Sequence, residues 1–164
     1  MKSIIIPFNF NSLGRVEFLA NVMTSDCKSF RVVNFKLDSG SDFTTISCED
    51  LDNLGYTRDF LQNCPFHHTS ASTASSDIRL QYIENISIKF GEREIQGCRI
   101  FFVLDSQLRS LFGSDILKYF NWGVNYDKGL LRLDKTENEP KLSKGETPLQ
   151  IYKITSQEGY DEAM

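Results

Sequence analysis

A carboxylate, a hydroxyl and a glycine stand together at Asp38-Ser39-Gly40, where an apolar alternating run ends and Ser41-Asp42-Phe43-Thr44-Thr45-Ile46 begins. An acid held at a strand end by a small hydroxyl residue and a glycine suits general acid–base chemistry in which two carboxyl groups share one proton. The chain carries this tripeptide once, so the second carboxyl group must come from elsewhere. The other chemistry-bearing residues are less promising. His67 and His68 are adjacent, cannot face one another on a strand, and have no cysteine or acid close by in sequence, so they read as a surface loop rather than a metal site. Cys27, Cys48, Cys64 and Cys98 lie 21, 16 and 34 residues apart with no Cys-x-x-Cys, which excludes zinc-ribbon and thioredoxin-type sites. They read as buried free thiols of a cytoplasmic protein.

The elements that must position Asp38 come next. Val16, Phe18, Ala20 and Val22 alternate with Glu17, Leu19 and Asn21, a period-two pattern with one apolar exception. A polar turn over 24–29 leads into Phe30–Leu37, where Val33, Phe35 and Leu37 share one face. This strand–turn–strand delivers Asp38 to a loop. Ser47 sits three residues before Asp50, a capping-box-like start for a short helix that Gly55 closes. Residues 57–77 carry few large apolar groups and read as a mobile or binding loop. Strands resume at Ile86, Ile88 and Phe90, turn at Gly91-Glu92, and continue through Ile100, Phe102 and Leu104. Leu111-Phe112-Gly113 precedes Ser114, read as the N-cap of a helix carrying Ile116, Leu117 and Phe120. There Asp115 is a helix-start residue favoured by the dipole. A final hairpin pairs Val124 and Tyr126 with Leu131 and Leu133 around Asp127-Lys128-Gly129.

Composition bounds the function. The 164 residues suit one domain, 40% apolar and 24% charged, with 13 Phe for a β-rich core. A net charge of −4 leaves no basic footprint for nucleic acid or anionic membrane. No apolar run approaches the ~20 residues a membrane helix needs. Ile4-Ile5-Ile6 stops at Pro7, far short of a signal-peptide core. Beyond Asp134 the chain turns polar, so 1–134 reads as the folded domain. Residues 135–164 read as a tail with one short ordered segment at Leu149-Gln150-Ile151-Tyr152.

In the order of these pieces the chain resembles the retropepsin-like (retroviral-type) aspartic proteases, from about Val16 to Leu133. The shared order is a hairpin into Asp38-Ser39-Gly40, a small-residue segment near Thr73 to Ser76, and Leu111-Phe112-Gly113 leading into a short helix. Phe120–Tyr126 is similar to the strand that follows that helix. The resemblance implies an all-β, closed acid-protease barrel of a single lobe with a flap hairpin and one or two short helices. It implies an aspartic endopeptidase acting on polypeptide as a homodimer, with no metal or organic cofactor. Asp38 would be catalytic and would pair with Asp38 of a second subunit. Ser39 would hydrogen-bond across the dimer axis, and Gly40 would let backbone approach the substrate closely. Ser41 and Asp42, with Ala74, Ser75 and Ser76 on the flap, would bind substrate. A shared proton implies a bell-shaped, acidic-to-neutral pH profile.

The chain departs from the pattern in three places. Residues 69–77 hold no glycine where a flap tip is usually glycine-rich. Ser114 stands where viral members carry an Arg that pairs with the acid at the position of Asp42. The chain ends offer no clear counterpart of the viral dimer strands, although Ile4-Ile5-Ile6 and Ile151-Tyr152 are candidates. Asp127-Lys128-Gly129 does not serve as a second catalytic tripeptide, because it lies in a tight hairpin with too little chain around it for a second lobe. These departures keep an alternative open: a non-catalytic module of the same fold that binds extended peptide or dimerises.

Overall fold

Alternating burial builds the frame that holds Asp38. A computed structural model describes residues 3–10, 14–26, 28–67, 79–91, 93–137, 140, 142 and 149–153. Strand β1 is Ile4–Pro7, β2 Asn9–Phe10, β3 Val16–Met23 and β4 Phe30–Leu37. Val16, Phe18, Ala20 and Val22 of β3 are buried, while the one apolar exception, Leu19, points to solvent. β3 and β4 pair antiparallel from Glu17–Lys36 to Met23–Phe30, which aims the end of β4 and Asp38 out of the sheet.

Two short helices follow the Asp38 loop. α1, Cys48–Asn53, starts as the capping-box spacing predicts: the Ser47 hydroxyl accepts from the Asp50 N–H. α2, Arg58–Gln62, lies where the sequence reads as a loop. Its N-cap Thr57 accepts from the Phe60 N–H and Leu61 is buried, so one cap and one apolar anchor suffice for a helix of five residues.

β5 (Gln81–Phe90) and β6 (Arg93–Phe102) form a long hairpin with a register shift between Ile83 and Ile88. β5 also pairs with β3. β7 (Leu111–Phe112) then lies parallel to β4, with Lys36 opposite Leu111 and Leu37 opposite Phe112. This parallel pair brings Leu111-Phe112-Gly113 against Asp38. α3 is Ser114–Leu117, and its N-cap is Gly113 rather than Ser114. The helix starts one residue earlier than its polar residue suggests, and the Ser114 N–H, which has no acceptor within the helix, donates to the Ser41 carbonyl. Phe120 belongs to β8 (Phe120–Asn125), not to the helix, and β8 pairs with β9 (Leu130–Lys135) in the expected hairpin. The segment expected at 149–152 is part of strand β10 (Gln150–Lys153), which pairs with β6.

The strands form two sheets. One runs β10-β6-β5-β3-β4-β7 with β2 alongside β3, and it curls strongly into a half-barrel; the other is β1-β9-β8. Phenylalanines fill the space between them. Phe112 meets Phe18, Phe35 and Phe90 edge-on, with ring centroids 5.2, 5.6 and 5.8 Å apart. Phe90 meets Phe120 in the same way. Edge-to-face contacts of this kind add to the burial of each ring. Phe112 is therefore both the hub of the core and the residue beside the acid.

Candidate active site

The Asp38 loop is fastened at both ends by backbone. The Asp38 N–H donates to the Phe112 carbonyl (3.1 Å), and the Ser41 N–H closes a turn onto the Asp38 carbonyl (3.1 Å). Within the turn, Asp38 Oδ1 accepts from the Gly40 N–H at 3.2 Å, an Asx-type bond that fixes the carboxylate's direction. The carboxylate is partly open to solvent, and Lys36 Nζ lies 4.0 Å from its other oxygen. Ser39 and Gly40 are exposed at the tip of the turn. A Cβ at Gly40 would meet only Asp38 Oδ1, at an ordinary 3.5 Å, so within the single chain a side chain would fit at this position.

Ser41 turns inward. Its hydroxyl donates to the Phe43 carbonyl (2.8 Å) and its own carbonyl accepts from the Ser114 N–H (2.8 Å). Asp42 is exposed and, among the described residues, has no ion-pair partner. Ala74, Ser75 and Ser76 lie outside the described residues, as does His68.

Gly113 and Asp115 hold the loop against α3. A Cβ on Gly113 would fall 2.5 Å from the Phe43 carbonyl oxygen and 2.9 Å from that of Ser41, closer than real Cβ atoms approach backbone. Only glycine fits between the two segments. The Gly113 N–H donates to Thr44 Oγ1 (3.1 Å), and Thr44 donates both its hydroxyl (2.6 Å) and its N–H (3.0 Å) to the Asp115 carboxylate. Thr44 is fully buried and Asp115 half-buried, so these charge-assisted bonds are partly shielded from water. Asp115 thus does more than start a helix: it clamps α3 to the loop. The link to α3 therefore runs through the Ser114 N–H and the Asp115 carboxylate, not through a charged side chain at 114. Thr45 adds a second fastening, exchanging backbone hydrogen bonds with Leu111.

A short hairpin stem rises beside this loop. Phe66 pairs with Gln81 and the His67 N–H donates to the Leu80 carbonyl (2.7 Å). The His67 ring sits edge-on to Phe43 (4.7 Å) and Phe101 (5.7 Å), joining the stem to the Asp38 loop. Phe43 also contacts Phe101 directly, at 4.6 Å. The buried Gln81 amide donates to the carbonyls of Leu61 and Cys64, which ties the stem to α2. The aromatic spacing carried a signal for this cluster only in hindsight of the fold, because Phe43, His67 and Phe101 are far apart in sequence. The cysteines take no part. Cys48, Cys64 and Cys98 are free, and Cys27 lies outside the described residues. Burial, and after it the charge of Asp115, push the Cys98 thiol well above its ordinary range; burial raises Cys64 as well.

Neither a family model nor a curated protein matches the chain by sequence. Among solved structures it is similar to a retropepsin-like aspartic protease from Rickettsia conorii. The TM-score is 0.56 and the identity 24%, over 80% of this chain and 89% of the other. The fold is retropepsin-like.

Proposed function

We propose that the chain is one half of an aspartic endopeptidase, with Asp38 from two copies forming the catalytic pair. One observation carries this reading: a single, partly exposed carboxylate is fixed by the Gly40 N–H and by backbone bonds at the junction of β4, β7 and the following loop. Two such carboxyl groups at close range hold one proton between them. The ionised member takes a proton from the attacking water while the protonated member polarises the scissile carbonyl. An extended substrate would lie in the groove between copies, with Ser41, Asp42 and the expected flap residues Ala74, Ser75 and Ser76 gripping its backbone. The free thiols Cys48, Cys64 and Cys98 support the cytoplasmic setting expected for it.

The test is cleavage of unstructured peptides across pH, read by mass spectrometry, for the native chain and Asp38→Asn. The native chain cuts with a bell-shaped profile; Asp38→Asn loses at least about 1,000-fold in rate, because one step of general acid–base catalysis has no substitute. Equal cleavage by both removes Asp38 from the mechanism.

One observation favours a second reading, a peptide-binding or dimerising module without catalysis. The Lys36 ammonium beside Asp38 gives the acid an ion-pair partner, an arrangement that a purely structural carboxylate also shows. Peptide binding without cleavage at any pH selects this reading.

A further inference from the structure

We infer that Lys36 sets the substrate class: its ammonium takes an acidic side chain, Asp or Glu, on a residue flanking the bond that is cut. The inference rests on the paired-Asp38 reading and names the kind of peptide that site accepts. Lys36 is the last residue but one of β4 and stands two positions before Asp38, so the two side chains leave the same face of the chain. Its Nζ lies 4.0 Å from Asp38 Oδ2, near enough for attraction and too far for a hydrogen bond. The side chain is only 18% exposed, yet among the described residues its ammonium donates no hydrogen bond. The acid opposite it on β3, Glu17, is already engaged, pairing with Arg109 at 2.9 Å and accepting from Asn34 Nδ2 at 2.9 Å. A largely covered ammonium without an accepting counter-ion is unfavourable, and a carboxylate carried by the substrate meets that need.

The surroundings agree in charge. Lys36 lines a groove of about 310 Å³ together with Arg15, just ahead of β3, and Ser39 of the tripeptide. Trp122, Val124 and Tyr126 form the rest of its wall from β8 and the residue after it. The lining holds two cations and no acid, in a chain whose acids outnumber its bases by 22 to 18. The sign of the groove is therefore opposite to that of the chain as a whole. Charges of one sign in a cleft with apolar walls concentrate their field on whatever enters it.

Position decides which substrate residue is read. In the proposed reaction the scissile carbonyl lies within hydrogen-bond reach of Asp38. An extended peptide advances about 3.3 Å per residue, so a group 4.0 Å from Asp38 Oδ2 reads a residue next to the cut. The flexible four-carbon stem and compact charge of lysine let it follow a carboxylate without demanding one planar geometry. The contact is a charge-assisted hydrogen bond, so a neutral isostere in the substrate loses about tenfold or more.

The test is kcat/KM for matched unstructured peptides that differ only in Glu, Gln or Lys beside the cut bond. It is run at about pH 6, where a glutamate with its ordinary pKa of ~4.3 is ionised. The native chain prefers Glu to Gln by at least about tenfold at one flanking position. In Lys36→Met, which keeps the stem without the charge, that ratio falls to about one. In Lys36→Glu it inverts, and the Lys peptide is cut faster than the Glu peptide. Ratios taken within one variant do not depend on how much active protein it yields. Native cleavage without this preference, or a preference that survives Lys36→Met, overturns the inference and leaves the peptidase reading standing. A chain that cuts no peptide sinks the peptidase, and peptides with one central Glu or Gln are then compared by fluorescence anisotropy. Tighter binding of the Glu peptide by at least about tenfold, lost in Lys36→Met, upholds the selection of acidic peptides. Equal binding, or none, overturns both.

Discussion

Asp115 and Gly113 do as much to hold the candidate acid as the residues touching it, because they decide where the loop from Asp38 to Thr45 can lie. Replacing Asp115 by Ala leaves the N–H and hydroxyl of the buried Thr44 without their acceptor. The expected loss is about 3 kcal/mol in urea unfolding, within the range for removing charge-assisted buried bonds. Gly113→Ala forces its Cβ into the Phe43 carbonyl and costs about 3 kcal/mol or more; a loss below about 0.5 kcal/mol in either variant contradicts the clamp. The thiols give a third residue-level expectation. A group raised by burial is scarcely ionised at pH 8, so Cys98 and Cys64 stay unlabelled by a thiol reagent until urea unfolds the chain. Labelling of native Cys98 as fast as Cys48 contradicts its burial. Asp38-Ser39-Gly40 was legible because its chemistry lies in three adjacent residue types. Asp115 was legible only as a helix-start residue, since its partner Thr44 is 71 positions away and no local pattern joins them.

The elements carry the site through β4 and β7. Their parallel pairing sets Phe112 beside Asp38, and the Phe112 ring anchors that pair in the core against Phe18, Phe35 and Phe90. Phe112→Ala is expected to cost about 4 kcal/mol, the usual range for emptying a buried aromatic position. Calorimetry checks this, and a change under about 1 kcal/mol contradicts a hub role. The three hairpins and the Ser47 cap were readable, because period-two alternation and caps are local signals. α2 was not, since five residues span too little of a helical period and its stabilising partners, such as the Gln81 amide, come from a distant strand. The N-cap of α3 is Gly113, which has no side chain to make a capping bond, so no local signal marked it.

At the scale of the whole molecule, the retropepsin-like fold was visible in the order of pieces rather than in any one of them. The hairpin, the tripeptide and the apolar-apolar-glycine segment each recur widely, but their sequence along the chain restricts the topology. Under the proposed function each chain supplies half a catalytic centre. Mixing native chain with Asp38→Asn at constant total concentration, after subunit exchange, tests this directly. If the site needs Asp38 from both copies, an equal mixture keeps about one quarter of the native peptidase rate, the square of the native fraction. A rate that falls only in proportion, to about one half, would mean that each chain works alone and would contradict the shared pair.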